Sequence, residues 1–280
     1  IPLARGKSRS MNPKGLIYEF EKLVDSGYKE IILTGVNVGD YGKSFDINLY
    51  KILNQMLIVN GDFRIRISSI EPNLLTDEII ELTADNPKFC NHFHIPLQSG
   101  SSKILKLMQR RYKAEDYFNL IHKAKNRIED LGIGVDVIVG FPGETEEDFI
   151  ETYNFIKNLP ISYLHVFTYS ERPDTKAIHL NGAVDVFKRK KRNNMLRILS
   201  DEKKHEFYSS MIGKDLEVLF EHGNHNGLMK GFSSNYVKVE SEFDSTIINE
   251  LVNVKAEELF DGICKVKIVE TKNSIDLKAS

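Results

Sequence analysis

Residues 134–158 read Gly-Val-Asp-Val-Ile-Val-Gly-Phe-Pro-Gly-Glu-Thr-Glu-Glu-Asp-Phe-Ile-Glu-Thr-Tyr-Asn-Phe-Ile-Lys-Asn. The run Gly134–Gly140 is β-branched and apolar, Gly140-Phe-Pro-Gly143 is a turn, and Thr145-Glu-Glu-Asp148 has capping-box chemistry with Asp in place of the usual Glu or Gln. A strand that turns at once into a capped helix is half of a strand–helix repeat. How often the half recurs decides the fold.

It recurs on both sides. Strands are expected at Glu30–Val36, Arg64–Ile70, His92–Leu97, Gly134–Gly140 and Tyr163–Tyr169, each bounded by Gly, Pro, Ser or Asn. Helices are expected at Pro13–Ser26, Leu49–Val59, Thr76–Ala84, Ser102–Gln109, Ala114–Leu131 and Thr145–Asn158. Repeats of this kind mean parallel strands with helical crossovers, so the class is α/β. Two architectures fit: a TIM-like parallel barrel, whole or partial, and a doubly wound open sheet. Five strands in a chain that begins just before a helix suggest a partial, open barrel lacking its first strand. The doubly wound sheet remains the alternative.

From Val184 to about Tyr208 one amphipathic helix is expected, with Phe187, Met195, Leu196 and Leu199 on its apolar side and the block Lys188-Arg189-Lys190-Lys191-Arg192 on it. Beyond Gly213 the texture changes to short strands at Asp215–Phe220, Leu228–Gly231, Tyr236–Glu240, Leu251–Lys255 and Cys264–Ile268. This reads as a small five-stranded all-β barrel of the OB type. The expected division is 1–208 and 209–280.

The chain has 280 residues, 41% hydrophobic and 28% charged, with a formal net charge of −2, the balance of a globular protein. The longest apolar runs are strand-sized, so no membrane span is expected. No charged-then-apolar leader opens the chain, and Ile1-Pro2-Leu3-Ala4-Arg5-Gly6 reads like the interior of a domain. The two cysteines, Cys90 and Cys264, lack CxxC-type spacing and are expected to pack as small apolar residues in a reducing, cytoplasmic setting.

In parallel barrels the reactive groups lie at the carboxyl ends of the strands. Here those ends carry Leu33-Thr-Gly-Val-Asn37, Ser68-Ser-Ile-Glu71-Pro72, His94-Ile-Pro-Leu-Gln98-Ser99-Gly100-Ser101, Gly140-Phe-Pro-Gly143-Glu144 and Thr168-Tyr-Ser-Glu-Arg172. Small residues in tight turns let a ligand approach the backbone closely. Each segment has a plainer reading: Gln98 and Ser99 as caps of the next helix, Arg110-Arg111-Tyr112 as a solvated helix end. His92 and His94 share one strand face, and with no third ligand nearby in the sequence no metal is expected there. No Ser-His-Asp order, P-loop, HExxH or GxGxxG appears.

The order Leu-Thr-Gly-x-Asn, Ser-Ser-Ile-Glu-Pro, His-x-Pro-Leu-Gln-Ser-Gly-Ser, Met-x-Arg-Arg-Tyr and Gly-Phe-Pro-Gly-Glu-Thr-x-x-Asp-Phe resembles the radical S-adenosylmethionine (SAM) tRNA methylthiotransferases. The last 70 residues or so resemble the RNA-binding TRAM domain of those enzymes. Ile-Pro-x-x-Arg-Gly-x-x-Arg-Ser is similar to the stretch that follows the family's CxxxCxxC motif. The resemblance implies that the cluster cysteines and an amino-terminal domain precede Ile1, so that no catalytic residue or metal ligand lies in this chain and the chain alone is inactive. It implies SAM and two 4Fe–4S clusters in the whole enzyme. It also implies an electron donor such as a flavodoxin or ferredoxin, the tRNA anticodon stem-loop as partner, and a monomer. Leu164-His-Val-Phe-Thr-Tyr-Ser-Glu-Arg-Pro173 is most similar to the branch acting on threonylcarbamoyladenosine rather than isopentenyladenosine, with Asp174 where Gly is common. By the same resemblance Thr34, Gly35, Asn37, Ser69, Glu71, Gln98, Ser99, Arg110, Arg111, Val139, Gly140 and Thr168 would surround SAM. Lys188, Arg189, Lys190, Lys191, Arg192, Phe232 and Tyr236 would hold RNA, the basic helix and terminal barrel forming one surface near the strand ends. An RNA-binding module without chemistry is the other class of reading.

Overall fold

A computed structural model of the chain describes residues 9–224 and 226–269; the opening Ile1–Ser8 part of the resemblance lies outside them. Helix α1 (Pro13–Asp25) starts where Asn12 accepts a hydrogen bond from the Gly15 amide at 2.8 Å, with Pro13 in the first turn. Asn48 caps α2 (Leu49–Leu57) in the same way. Then follow α3 (Asp77–Asp85), α4 (Ser102–Leu107), α5 (Ala114–Arg127), α6 (Glu146–Asn158) and the long α7 (Val186–Ser209). The Thr145/Asp148 capping box expected at α6 forms in both directions.

Strands β1 (Glu30–Leu33), β2 (Arg64–Ile67), β3 (His92–His94), β4 (Gly132–Val139) and β5 (Tyr163–Thr168) alternate with these helices. β1 pairs with β2 and β3–β4–β5 pair in turn, all parallel. Single parallel bridges at Ile65/Phe89 and Ser69/His94 join β2 to β3. Strand order therefore follows chain order without reversal, which is the open-barrel arrangement and not the doubly wound one. One face of the sheet, with Ile65, Ile67, Val135, Val137 and Val139, is sealed by helices. The other face carries Glu30, Arg64, Arg66, His92, His94, Asp136, Tyr163 and His165.

Most strands stop one to three residues short of the sequence expectation. After His94 the chain meets Pro96, which has no N–H for the ladder, and then Gln98 at φ 71°. Helix α5 likewise ends at Arg127 rather than Leu131, because Ile128 is extended and Asp130 lies at φ 51°.

Strands β6 (Asp215–Phe220), β7 (Leu228–Ser233), β8 (Lys238–Glu242), β9 (Leu251–Phe260) and β10 (Ile263–Ile268) close into a barrel in the order β10-β8-β7-β6-β9. β8 begins two residues later than expected because Tyr236 sits at φ 70°. Alternate side chains (Val218, Phe220, Met229, Val239, Val254, Cys264) fill the barrel, and Phe207, Tyr208 and Met211 at the end of α7 extend that core. The small barrel docks under the amino ends of the parallel strands. Arg64 donates to the backbone carbonyls of Glu217 and Phe232, and Arg66 to those of Ser233 and Ser234, at 2.9–3.2 Å. Glu30 lies between the two guanidiniums, at 2.7 Å from Arg64 and 2.6 Å from Arg66.

Candidate functional site

The carboxyl ends of the parallel strands β1–β5 lie together at one end of the sheet, the mouth of the open barrel. Thr34 and Gly35 are exposed there, and the Asn37 side chain accepts from the Glu71 amide at 3.3 Å. Ser69 is half-buried and bridges to β3. Glu71 faces Arg110 at 3.6 Å, while the Arg110 Nε is buried with no hydrogen-bond partner among the described residues. The Arg110 side chain is 30% exposed and makes only this long contact with Glu71, so the outer edge of its guanidinium is able to pair with a second carboxylate. Arg111, by contrast, is exposed. Tyr112 is buried and donates to the carbonyls of Pro96 and Leu97, at 3.1 and 3.0 Å, which fixes the strand-end segment through its backbone.

Several residues expected to face a ligand are otherwise engaged. The Ser99 hydroxyl is buried, bonded to Thr152 at 3.1 Å and accepting from the Ser101 amide, so it is tied to α6. Val139 packs into the core and its carbonyl accepts from the Tyr169 amide. The Gly140 amide donates to the Glu144 carboxylate at 2.5 Å, and Phe141 adds a longer bond. Gln98, by contrast, makes no side-chain hydrogen bond among the described residues, and Thr168 is exposed at the rim. Asp174, placed where Gly is common, lies at φ 64°, the left-handed region that favours glycine.

The basic block divides in two. Lys188, Lys190 and Lys191 are exposed, but Arg189 and Arg192 are only 6% and 4% exposed. Arg189 donates to the carbonyls of Val184 and Tyr169 at 2.7 and 2.9 Å and pairs with Glu171. Arg192 bonds Glu144 at 2.8 Å and Glu146 at 2.9 Å. These two arginines brace the turns after β4 and β5 and are not free for phosphate. Phe187, expected on the apolar side, is 81% exposed, because that first turn of α7 projects beyond the sheet.

Phe232 and Tyr236 lie side by side in the small barrel. Their rings stack at 4.9 Å, and Tyr236 lies against His92 and under Arg66, facing the parallel sheet. Tyr236 thus touches the seam between the two barrels while remaining 38% exposed. The small barrel packs at the last turns of α7, while the lysines lie in its first turns, roughly 27 Å away at 1.5 Å per residue. The lysines and the small barrel thus lie at opposite ends of α7.

On the inner face, His92 and His94 part company. His92 bonds the Tyr163 hydroxyl at 2.9 Å, and burial together with Arg66 holds its imidazole neutral, well below its ordinary pKa. His94 turns to Asp136 at 2.9 Å, and His165 approaches the same carboxylate oxygen at 3.3 Å. Burial works to raise the Asp136 carboxyl, but hydrogen bonds from His165 and His94 outweigh it and bring it down to about 2. The further ligand-type side chains that sequence spacing does not reveal beside His94 come from β4 and β5, through strand register.

Neither cysteine suits an iron–sulfur cluster. Cys90 and Cys264 are 2% and 0% exposed and lie one beside the parallel sheet and one inside the small barrel, so they cannot jointly supply the several thiolates such a cluster requires. No helix among the described residues is long and apolar enough to cross a membrane.

Among curated proteins the chain is similar to the threonylcarbamoyladenosine tRNA methylthiotransferase MtaB of Bacillus subtilis (strain 168). The two are 43% identical over 261 residues, covering 91% of this chain and 58% of the relative. The protein of the same name from Thermotoga maritima is 37% identical, covering 97% and 63%. A tRNA-2-methylthio-N(6)-dimethylallyladenosine synthase from Endomicrobium trichonymphae is also 37% identical, covering 92% and 61%. The chain thus spans less than two thirds of the length of each of these relatives. The sequence profile of the radical SAM superfamily matches residues 2–156, from before α1 into α6 and across β1–β4 with their strand-end turns. By that match, which takes in more than half of its length, the chain belongs to the radical SAM superfamily.

Proposed function

We propose that this chain is the SAM-holding and RNA-holding part of a tRNA methylthiotransferase that acts on threonylcarbamoyladenosine beside the anticodon. The observation that carries the reading is the part-exposed Arg110 guanidinium beside Glu71 at the carboxyl ends of the parallel strands. The names of the relatives supply the substrate class.

The residues present fit SAM. Arg110 would hold its carboxylate, Thr34, Gly35 and Asn37 its amino group through backbone and amide oxygens, and Gln98 its ribose. Once bound and reduced, SAM supplies a carbon radical able to abstract hydrogen. What this chain does is orient: Tyr112 fixes the Pro96–Leu97 backbone, Arg189 and Arg192 lock the turns after β4 and β5, and Glu71 positions Arg110. Cys90 and Cys264 do not suit a cluster, so cluster ligands would belong to the part of the relatives that this chain does not span.

Lys188, Lys190 and Lys191 would neutralise RNA phosphates at the rim of the mouth, and the five-stranded barrel would be the TRAM unit, of the OB type. Phe232 and Tyr236, engaged in the seam, are not assigned to base stacking.

Two measurements test the proposal. S-adenosylhomocysteine should raise the melting temperature of this chain. Restoring the corresponding full-length gene to a strain lacking the activity should return the methylthio form of threonylcarbamoyladenosine in digested tRNA. Return of the isopentenyladenosine product alone would move the protein to the other branch.

A further inference from the structure

We infer that His94, Asp136 and His165 form a binding site for a divalent first-row transition metal on the inner face of the parallel sheet. This inference is independent of the proposed function. The three side chains come from three adjacent strands, β3, β4 and β5, and the β4–β5 register sets Asp136 directly beside His165. Their donor atoms all lie within 4.8 Å of one another.

Three observations favour an ion over a hydrogen-bonded cluster. The first is convergence. Both imidazoles aim at the same carboxylate oxygen, at 2.9 and 3.3 Å, instead of dividing between the two oxygens. An ion about 2.1 Å from each donor separates neighbouring ligands by roughly 3.0–3.4 Å in octahedral or tetrahedral geometry; the His165 separation of 3.3 Å falls in that range and the His94 separation of 2.9 Å just below it.

The second observation is charge. Glu30 has Arg64 and Arg66, Glu144 has Arg192, and Asp148 has Lys103. Asp136, half-buried, has no Lys or Arg partner among the described residues and meets only the two imidazoles. Buried carboxylates are paired or coordinate metals, and the two side chains that face Asp136 are imidazoles, which ligate an ion in their neutral form.

The third observation is access. His165 is 55% exposed and His94 and Asp136 are about one-fifth exposed, so an ion can enter and keep open coordination positions. Two imidazoles and one carboxylate select zinc, iron(II) or cobalt(II) over magnesium or calcium, which prefer all-oxygen sites.

The test is cobalt(II) titration of the chelator-treated chain, followed by visible ligand-field absorption and calorimetry. One cobalt per chain should bind and be displaced by zinc. His165→Gln and Asp136→Asn should each weaken binding by more than the roughly 10- to 100-fold that loss of an outer-shell partner costs, while exposed His179→Gln leaves it unchanged. Since His165 is half-exposed, its variant should melt near the parent temperature. If Asp136→Asn does not fold, the His165→Gln result decides alone. Absence of a ligand-field band, a band unchanged in His165→Gln, or a thiolate-to-cobalt charge-transfer band from the cysteines would overturn the assignment.

Discussion

Replacing Glu30 by Gln tests what holds the small barrel against the parallel sheet. The substitution keeps the shape and removes the charge between Arg64 and Arg66, whose side chains are 1% and 4% exposed beside a carboxylate at 12%. Both guanidiniums also donate to carbonyls of the small barrel, so they cannot swing into water without breaking the seam. Removing one partner of a buried ionic group costs about 3–5 kcal/mol. At roughly 2–4 °C per kcal/mol for a chain of this size, Tm should fall by about 6–20 °C. Circular dichroism melts measure the fall, and limited proteolysis should release the segment beyond α7 first. Burial works to raise the Glu30 carboxyl, but Arg66 and then Arg64 outweigh it and hold it low. Its stabilisation is therefore complete above the unfolded carboxylate value, about 4.3, and is lost as pH falls through the folded one. The gap between parent and variant should narrow in acid. A fall below about 2 °C at neutral pH, under roughly 1 kcal/mol, would refute the assignment of this triad as the clamp.

Three further outcomes are expected. Lys188→Gln, Lys190→Gln and Lys191→Gln should each reduce the salt slope of anticodon stem-loop binding by about one unit; Arg189→Gln and Arg192→Gln should instead lower Tm, since their side chains are buried in bonds to strand-end turns. Arg110→Gln should weaken S-adenosylhomocysteine binding by about 10- to 100-fold, the loss of one charge-assisted contact, with Arg111→Gln near the parent in calorimetry. Gly140→Ala should destabilise the chain by at least about 1–3 kcal/mol, because Gly140 lies at φ 76° and a Cβ there would sit 2.3 Å from the Arg189 Cγ; a melt equal to the parent's would contradict the strain.

The α/β class, the order of the elements and the five short carboxy-terminal strands are legible in the sequence because they rest on neighbours along the chain. Val135, Val137 and Val139 alternate with Asp136 and Ile138, so the strand and its buried face follow from the residues alone. Thr145 and Asp148 announce the start of α6 in the same way, whereas Arg110 and Arg111 read alike in the sequence and differ only in the burial the fold gives them. The sequence also carries five cations in a row at Lys188–Arg192, but it does not say which of them the sheet covers. Arg189 and Arg192, three residues apart, share the covered face while Lys190 and Lys191 between them stand in solvent, and only the packing of α7 against β5 chooses that face. Tyr236 reads equally well as a base-stacking platform or as a seam residue until the small barrel docks. His94, Asp136 and His165 lie on three strands and meet only through register. Register and docking are sums over many weak contacts between residues distant in the chain, none of which leaves a local pattern. That is why the elements could be read from the residues, while the partners of their polar side chains were decided by the tertiary structure.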